Sequence, residues 1–236
     1  AAASSPTNVP TERTVSDSST LILSCHLPYL ADGSTNNFPL TLSGGASLSP
    51  KGPYDYAETS VTDGGSMEFD GHSAVVNPAS GSITAPAGDF NIQFWAYPRE
   101  QVTTYGHTST SLSKSVFDTS WLGGGIHIEY HSSQTYYVYL GSSSVTLNGV
   151  AGDSPKESWH HVCFTRNGSY FRLYINGKEV DTSSTSVTFL QAAFNQTQIG
   201  RNHQSSGGGP AAFNGAISDL KFDSSTAVTA EFTPPT

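Results

Sequence analysis

Two Asn-Gly dipeptides, Asn167-Gly168 and Asn176-Gly177, constrain this chain more than any other feature in it. Asn and Gly tolerate positive φ, which the tight turn between antiparallel strands demands. Apolar and polar residues alternate around them: Trp159-His160-His161-Val162-Cys163-Phe164 before the first, Tyr170-Phe171-Arg172-Leu173-Tyr174-Ile175 between the two, and Glu179-Val180 after the second. A period of two places Phe171, Leu173 and Ile175 on one face and Tyr170, Arg172 and Tyr174 on the other. The stretch predicts a three-stranded meander.

The same pattern recurs along the chain. Leu21-Ile22-Leu23-Ser24-Cys25-His26-Leu27 reads as a first strand and Phe38–Gly45 as a second, with Pro39 at an edge or a strand start. Gly65–Gly71 and Ala74–Val76 read as a hairpin turning at Asp70-Gly71, and Phe90–Pro98, bulky on both faces, as a central strand. Lys114–Asp118, Gly125–His131, Thr135–Leu140 and Ser144–Leu147 precede the meander, and Thr197–Arg201 and Phe213–Asp223 follow it. So many strands with no long amphipathic helix predict an all-β fold, a two-sheet antiparallel β-sandwich of the jelly-roll kind. Residues 1–19 are polar, Pro-punctuated and aperiodic, an arm or linker, and residues 20–236 read as one domain.

Charge excludes one class of partner. With 10 Lys and Arg against 19 Asp and Glu, and a net charge of -9, the chain lacks the basic patch that nucleic acid requires. No run is long and apolar enough for membrane insertion. The opening Ala1–Asn8 lacks the basic start and apolar centre of a signal peptide and does not begin with Met, as a cleaved product or a fragment would not. Cys25 and Cys163 sit in apolar strand patterns, which favours buried free thiols over a disulfide.

Met67-Glu68-Phe69-Asp70-Gly71, Phe90–Pro98, the hairpin from Trp159 with Asn176-Gly177-Lys178, Ile199-Gly200 and Phe213–Leu220 together, in that order, resemble the laminin-G-like or concanavalin A-like jelly-roll domain. Within that family, Leu21–Cys25 with the loop Asp32–Phe38, and the closing Glu231-Phe232-Thr233-Pro234-Pro235, look like versions found in virion structural proteins of marine bacteriophages: tail fibres, horns or capsid decorations. The resemblance implies a virion-surface module, extracellular and assembled as a homo-oligomer, whose partners are host glycan or other virion subunits. It also implies a calcium ion in some members, for which Asp70, Asp219 and Asp223 stand where related folds use acidic residues. Fold likeness alone does not assign a function.

The residues themselves offer fewer sites than they first suggest. Glu68 and Asp70 begin the carboxylate pattern of the glucanases that share this fold, but His72 and Ser73 stand where the second Glu would be. An extracellular carbohydrate-active enzyme is therefore the alternative reading. His127, Glu129 and His131 share a strand face, yet ~3.3 Å per residue puts the two His roughly 13 Å apart, too far to share one ion, so a solvated face is expected. His160 and His161 point to opposite faces, one of them filling the sheet interior. Sugar binding by β-sandwiches uses aromatic faces beside polar groups. The candidate platform is Tyr137 and Tyr139 on one strand and Tyr170, Arg172 and Tyr174 on another, with Tyr105, His107, Trp121 and His203 as a loop rim. Cross-strand packing is the structural alternative for the same side chains. Asn167-Gly168-Ser169 and Asn195-Gln196-Thr197 fit the glycosylation pattern, which chance also produces at this length.

Overall fold

In the computed structural model, the described residues are 16–27, 29–53, 65–101, 114–120, 123–141, 145–202, 211–225 and 227–235. The meander forms as expected from β11 (His160–Asn167), β12 (Tyr170–Ile175) and β13 (Lys178–Ser184). Its second turn is Asn176-Gly177, with φ of 51° and 79°. The first turn lies one residue later than expected. Asn167 still pairs with Tyr170, so Gly168 and Ser169 make the corner, and only Gly168, at φ 59°, takes positive φ.

The remaining described strands are β1 (Thr20–Ser24), β2 (Leu40–Ser43), β3 (Ser47–Ser49), β4 (Ser66–Asp70), β5 (Val75–Pro78), β6 (Phe90–Pro98), β7 (Lys114–Asp118), β8 (Ile126–His131), β9 (Thr135–Leu140), β10 (Val145–Asn148), β14 (Gln198–Ile199) and β15 (Asn214–Asp223). A single helical turn, α1 (Gln191–Phe194), precedes β14. They form two antiparallel sheets. One runs β13-β12-β11-β6-β15-β4-β3, with β1 added on β15; the other runs β10-β9-β8-β7-β14-β5-β2. This is the two-sheet sandwich that alternation predicts, and β6, flanked by β11 and β15, is the central strand expected of it.

The expected hairpin at Asp70-Gly71 does not form. β4 pairs with β15 and β3 in the eight-stranded sheet, whereas β5 pairs with β14 and β2 in the seven-stranded one. The Asp70 carboxylate explains the crossover. It accepts backbone N–H bonds from His72, Ser73 and Ala74, each 2.9 Å, and the chain turns over the edge of the sandwich rather than back on itself.

The core lies between the sheets and is built on aromatic residues. Phe90 is fully buried, with Phe164, Phe189 and Phe222 edge-on at 5.5, 5.7 and 5.8 Å between centroids. Both cysteines are buried free thiols. Burial pushes the Cys25 thiol up to about 12 and raises Cys163 as well, so both are neutral, and the Cys163 Sγ donates to Asn91 Oδ1 at 3.0 Å. After β15 the chain crosses the outer face of the eight-stranded sheet. Val228 N–H donates to Thr165 Oγ1 at 3.2 Å and Phe232 N–H to the Gly177 carbonyl at 3.0 Å.

Candidate functional site

The expected platform divides between opposite sides of the sandwich. Core-facing Phe171, Leu173 and Ile175 on β12 turn Tyr170, Arg172 and Tyr174 to the outer face of the eight-stranded sheet. Core-facing Tyr136, Val138 and Leu140 on β9 turn Tyr137 and Tyr139 to the outer face of the other sheet. The two groups cannot grip one ligand face together. Trp121 and His203, with Tyr105 and His107, lie outside the described residues.

On the eight-stranded side, Tyr174 is not a free aromatic surface, because it is completely buried. Phe232 of the C-terminal segment packs edge-on to both Tyr174 and His161, 5.6 Å from each ring. His161 is thereby enclosed, and burial lowers its pKa to about 3. Tyr170 stays exposed, with the Arg172 guanidinium 5.1 Å above its ring, but Arg172 also pairs with Glu179 at 3.5 Å. Of the three expected residues, Tyr170 alone stays exposed, under its own cation; elsewhere on that face Tyr97 and Trp159 are half-buried, their rings 5.5 Å apart.

The seven-stranded side differs. Register aligns one polar or aromatic side chain per strand across the outer face: Thr146 on β10, Tyr139 on β9, His127 on β8, Asp118 on β7, Gln198 on β14, Asn77 on β5 and Thr41 on β2. A shorter row beside it carries Asn148, Tyr137, Glu129 and Ser115. The centre of these rows is closed, because His127, Glu129, Asp118 and Ser115 are all buried. The solvated face expected for His127, Glu129 and His131 is therefore corrected: only His131 is half open. Its ring stacks flat on Tyr137, 4.1 Å away with 2° between planes, and the Tyr139 hydroxyl donates to Glu129 Oε1 at 3.0 Å. Desolvation and the Glu129 carboxylate raise the Tyr139 pKa, so its proton stays in that bond. Toward β10 the face opens: Tyr137 and Tyr139 are half-buried, and Thr146 and Asn148 are exposed.

The residues that would hold calcium do not fit it. Asp70 sits opposite Asn214 at the start of β15, while Asp223 ends that strand nine residues later, roughly 30 Å away. Asp70 is spent on its three backbone amides. Burial pushes its pKa up, but these bonds outweigh it and hold the carboxyl below its ordinary value. Asp223 is buried, its pKa raised by desolvation, and it is bonded to Thr20 and paired with Lys221 at 3.2 Å. Asp219 is buried in the middle of β15 at φ 50° and accepts from the Ser218 hydroxyl. No group of three or more His, Cys, Asp and Glu able to hold a metal occurs among the described residues.

Both carboxylates that begin the glucanase pattern have partners within the protein. Glu68 pairs with Arg99, Nη1 to Oε2 at 2.6 Å, and Asp70 is the corner of the crossover. Sequence reasoning missed the long polar row, because its members come from strands far apart in the chain and only the cross-strand register aligns them.

Two packed antiparallel sheets with a polar outer face define a concanavalin A-like jelly roll. Residues 69–231 match the model of the Laminin_G_3 family, described as the concanavalin A-like lectin/glucanases superfamily. The chain belongs to that family. No curated protein matches its sequence. Solved structures do resemble it. Domain 4 of AbnA, a GH43 extracellular arabinanase from Geobacillus stearothermophilus, in complex with arabinotriose, is 20% identical over 88% of this chain and 94% of that one, with a TM-score of 0.59. A structure of botulinum neurotoxin type C, whose cell entry depends on interaction with two ganglioside molecules, is 18% identical over 91% of this chain, with a TM-score of 0.55. The receptor-binding domain of botulinum neurotoxin type G is 11% identical over 90%, with a TM-score of 0.57. The chain spans about half the length of each toxin structure, 49%. At these identities the likeness is one of fold. No helix among the described residues is long and apolar enough to cross a membrane.

Proposed function

We propose that this chain is a non-enzymatic, glycan-binding module of a virion surface, a tail fibre or capsid decoration that attaches to host carbohydrate. The observation that carries the glycan reading is the open flank of the seven-stranded sheet. There Tyr137 and Tyr139 stand half-exposed beside Thr146 and Asn148, one ring braced by His131 and the other anchored on Glu129. Rings held this way present an apolar face and polar neighbours at little further cost in side-chain entropy, which suits the faces and hydroxyls of a sugar. Arabinotriose and ganglioside contacts named for proteins of the same fold support the ligand class. The phage setting rests on the N-terminal strand and loop and on the closing Glu231–Pro235, and the reading includes a homo-oligomer whose residues 1–19 tether it to other subunits, multiplying weak contacts by avidity. Absence of catalysis is part of the proposal, because Glu68 and Asp70 are both committed to structural partners.

A glycan array followed by titration of the strongest hit tests this reading. The Tyr137→Ala/Tyr139→Ala double variant is expected to lose at least about ten-fold in affinity, the scale of one or two lost aromatic contacts. Unchanged binding overturns the site. Release of reducing sugar from laminarin or alginate, abolished by Glu68→Gln, overturns the non-enzymatic role.

A further inference from the structure

The open flank of the seven-stranded sheet has a direction. β10 is the edge of that sheet, and β8 lies on the other side of β9. Both outward tyrosines of β9 are covered from the β8 side. His131 stacks flat on Tyr137, and the His127 ring stands 5.8 Å from that of Tyr139 with 39° between planes. The parts of the two rings that stay exposed are therefore turned toward β10. There the residues opposite them are short: Thr146 faces Tyr139 and Asn148 faces Tyr137. Core-facing Leu147 between them turns both outward, and both are exposed. Asn148 meets Asp181 through its backbone N–H, not through its side chain. The result is a shelf along the sheet edge, walled by two tyrosine rings and floored by Thr146 and Asn148. It has two stations, each with one ring and one polar side chain.

Resting on the glycan-binding reading and narrowing its ligand class, we infer that this shelf takes a glycan chain of at least two linked sugar units whose successive rings tilt against each other. The Tyr137 and Tyr139 ring centroids lie 6.3 Å apart with 49° between planes. A single sugar ring has one mean plane, so it lies parallel to one tyrosine only. Filling both stations takes a second ring, inclined to the first as the tyrosines are inclined to each other. A linked second unit meets that demand without a second association cost, because it arrives on the same molecule. Thr146 and Asn148 side chains both donate and accept, as the hydroxyls of each unit require. A flat ribbon, in which successive ring planes coincide, stacks on one tyrosine at a time, and a lone sugar leaves one station empty.

Calorimetric titration of the full chain separates these cases. The probes are two soluble ladders, laminari-oligosaccharides and arabino-oligosaccharides, each taken from the single sugar to the tetramer. Neither is a flat ribbon. Crystalline cellulose, which is one, serves as the counter-probe in a pull-down. Affinity for at least one ladder is expected to rise at least about ten-fold from monomer to trimer, the scale of a second aromatic contact, and cellulose should retain nothing. Tyr137→Ala should bring the trimer down to the level of the wild-type monomer, whereas Tyr137→Phe, which keeps the ring, should keep the gain. A monomer bound as tightly as its trimer, a gain that survives Tyr137→Ala, retention on cellulose, or no binding of either ladder overturns the inference. If a glycan array still shows binding that depends on Tyr137 and Tyr139, only the preference for a tilted chain falls; if no glycan binds the wild-type chain anywhere, the functional reading falls with it.

Discussion

The two outer faces of the sandwich carry similar side chains and put them to opposite uses. Each has a tyrosine hydroxyl bonded to a glutamate, Tyr139 to Glu129 on the seven-stranded sheet and Tyr174 to Glu179 on the eight-stranded one. On the first, the aromatic flank is left half open; on the second, the chain's own Phe232 closes over it. An aromatic residue on an outer face is therefore not by that fact a binding residue. What decides is whether a later segment of the same chain has already taken the contact.

The largest effect is expected from removing the cover. Phe232 packs against both Tyr174 and His161 and fixes the C-terminal segment together with its N–H bond to the Gly177 carbonyl. Full burial of a Phe is worth about 3–5 kcal/mol against Ala, and Phe232 is half-buried, so Phe232→Ala should destabilise by about 2 kcal/mol in denaturant titration. Glycan affinity at Tyr137 and Tyr139 should not move. If affinity falls together with stability, the faces are coupled and the division drawn between them is wrong.

A smaller effect reads the same cover through protons. His161 has an ordinary pKa of 6.5, lowered to about 3 by burial. Between those values the unfolded chain holds a proton that the folded chain refuses, so stability falls as pH drops through that window and is complete above it. The slope is about 1.4 kcal/mol per pH unit at its steepest. His160, also lowered by burial, adds to it with the same sign. His161→Phe should flatten the decline in melting temperature between about pH 6 and 4. Phe232→Ala, by admitting water, should flatten it in part. A His161→Phe profile identical to wild type would mean that the ring is not enclosed as described.

Much of this architecture is legible in the sequence. The meander, the central strand Phe90–Pro98 and the sandwich follow from period-two alternation and two Asn-Gly turns, which are local signals. The Asp70 crossover was not legible, because Asp-Gly marks a turn without saying which sheet the chain enters next. Nor was the burial of Tyr174, since alternation assigns a face but cannot show that a segment more than fifty residues later will lie across it. The polar row failed for the reason that long-range register always fails: its members share no local pattern.

The smallest effect separates the twin hydrogen bonds themselves. The Tyr139 bond is 3.0 Å long and its glutamate is buried, whereas the Tyr174 bond is 3.3 Å long and its glutamate is exposed and shared with Arg172. A bond to a charged group contributes about 1.5–3 kcal/mol when desolvated and less where water competes. Tyr139→Phe should therefore cost about 1 kcal/mol or slightly more, and Tyr174→Phe a few tenths. Only Tyr139→Phe should also weaken glycan capture, because loss of the Glu129 anchor lets the ring leave the pose in which it meets the sugar. Equal costs for the two variants, with binding untouched by either, would make both tyrosines sheet-packing residues and remove the anchored ring from the proposed site.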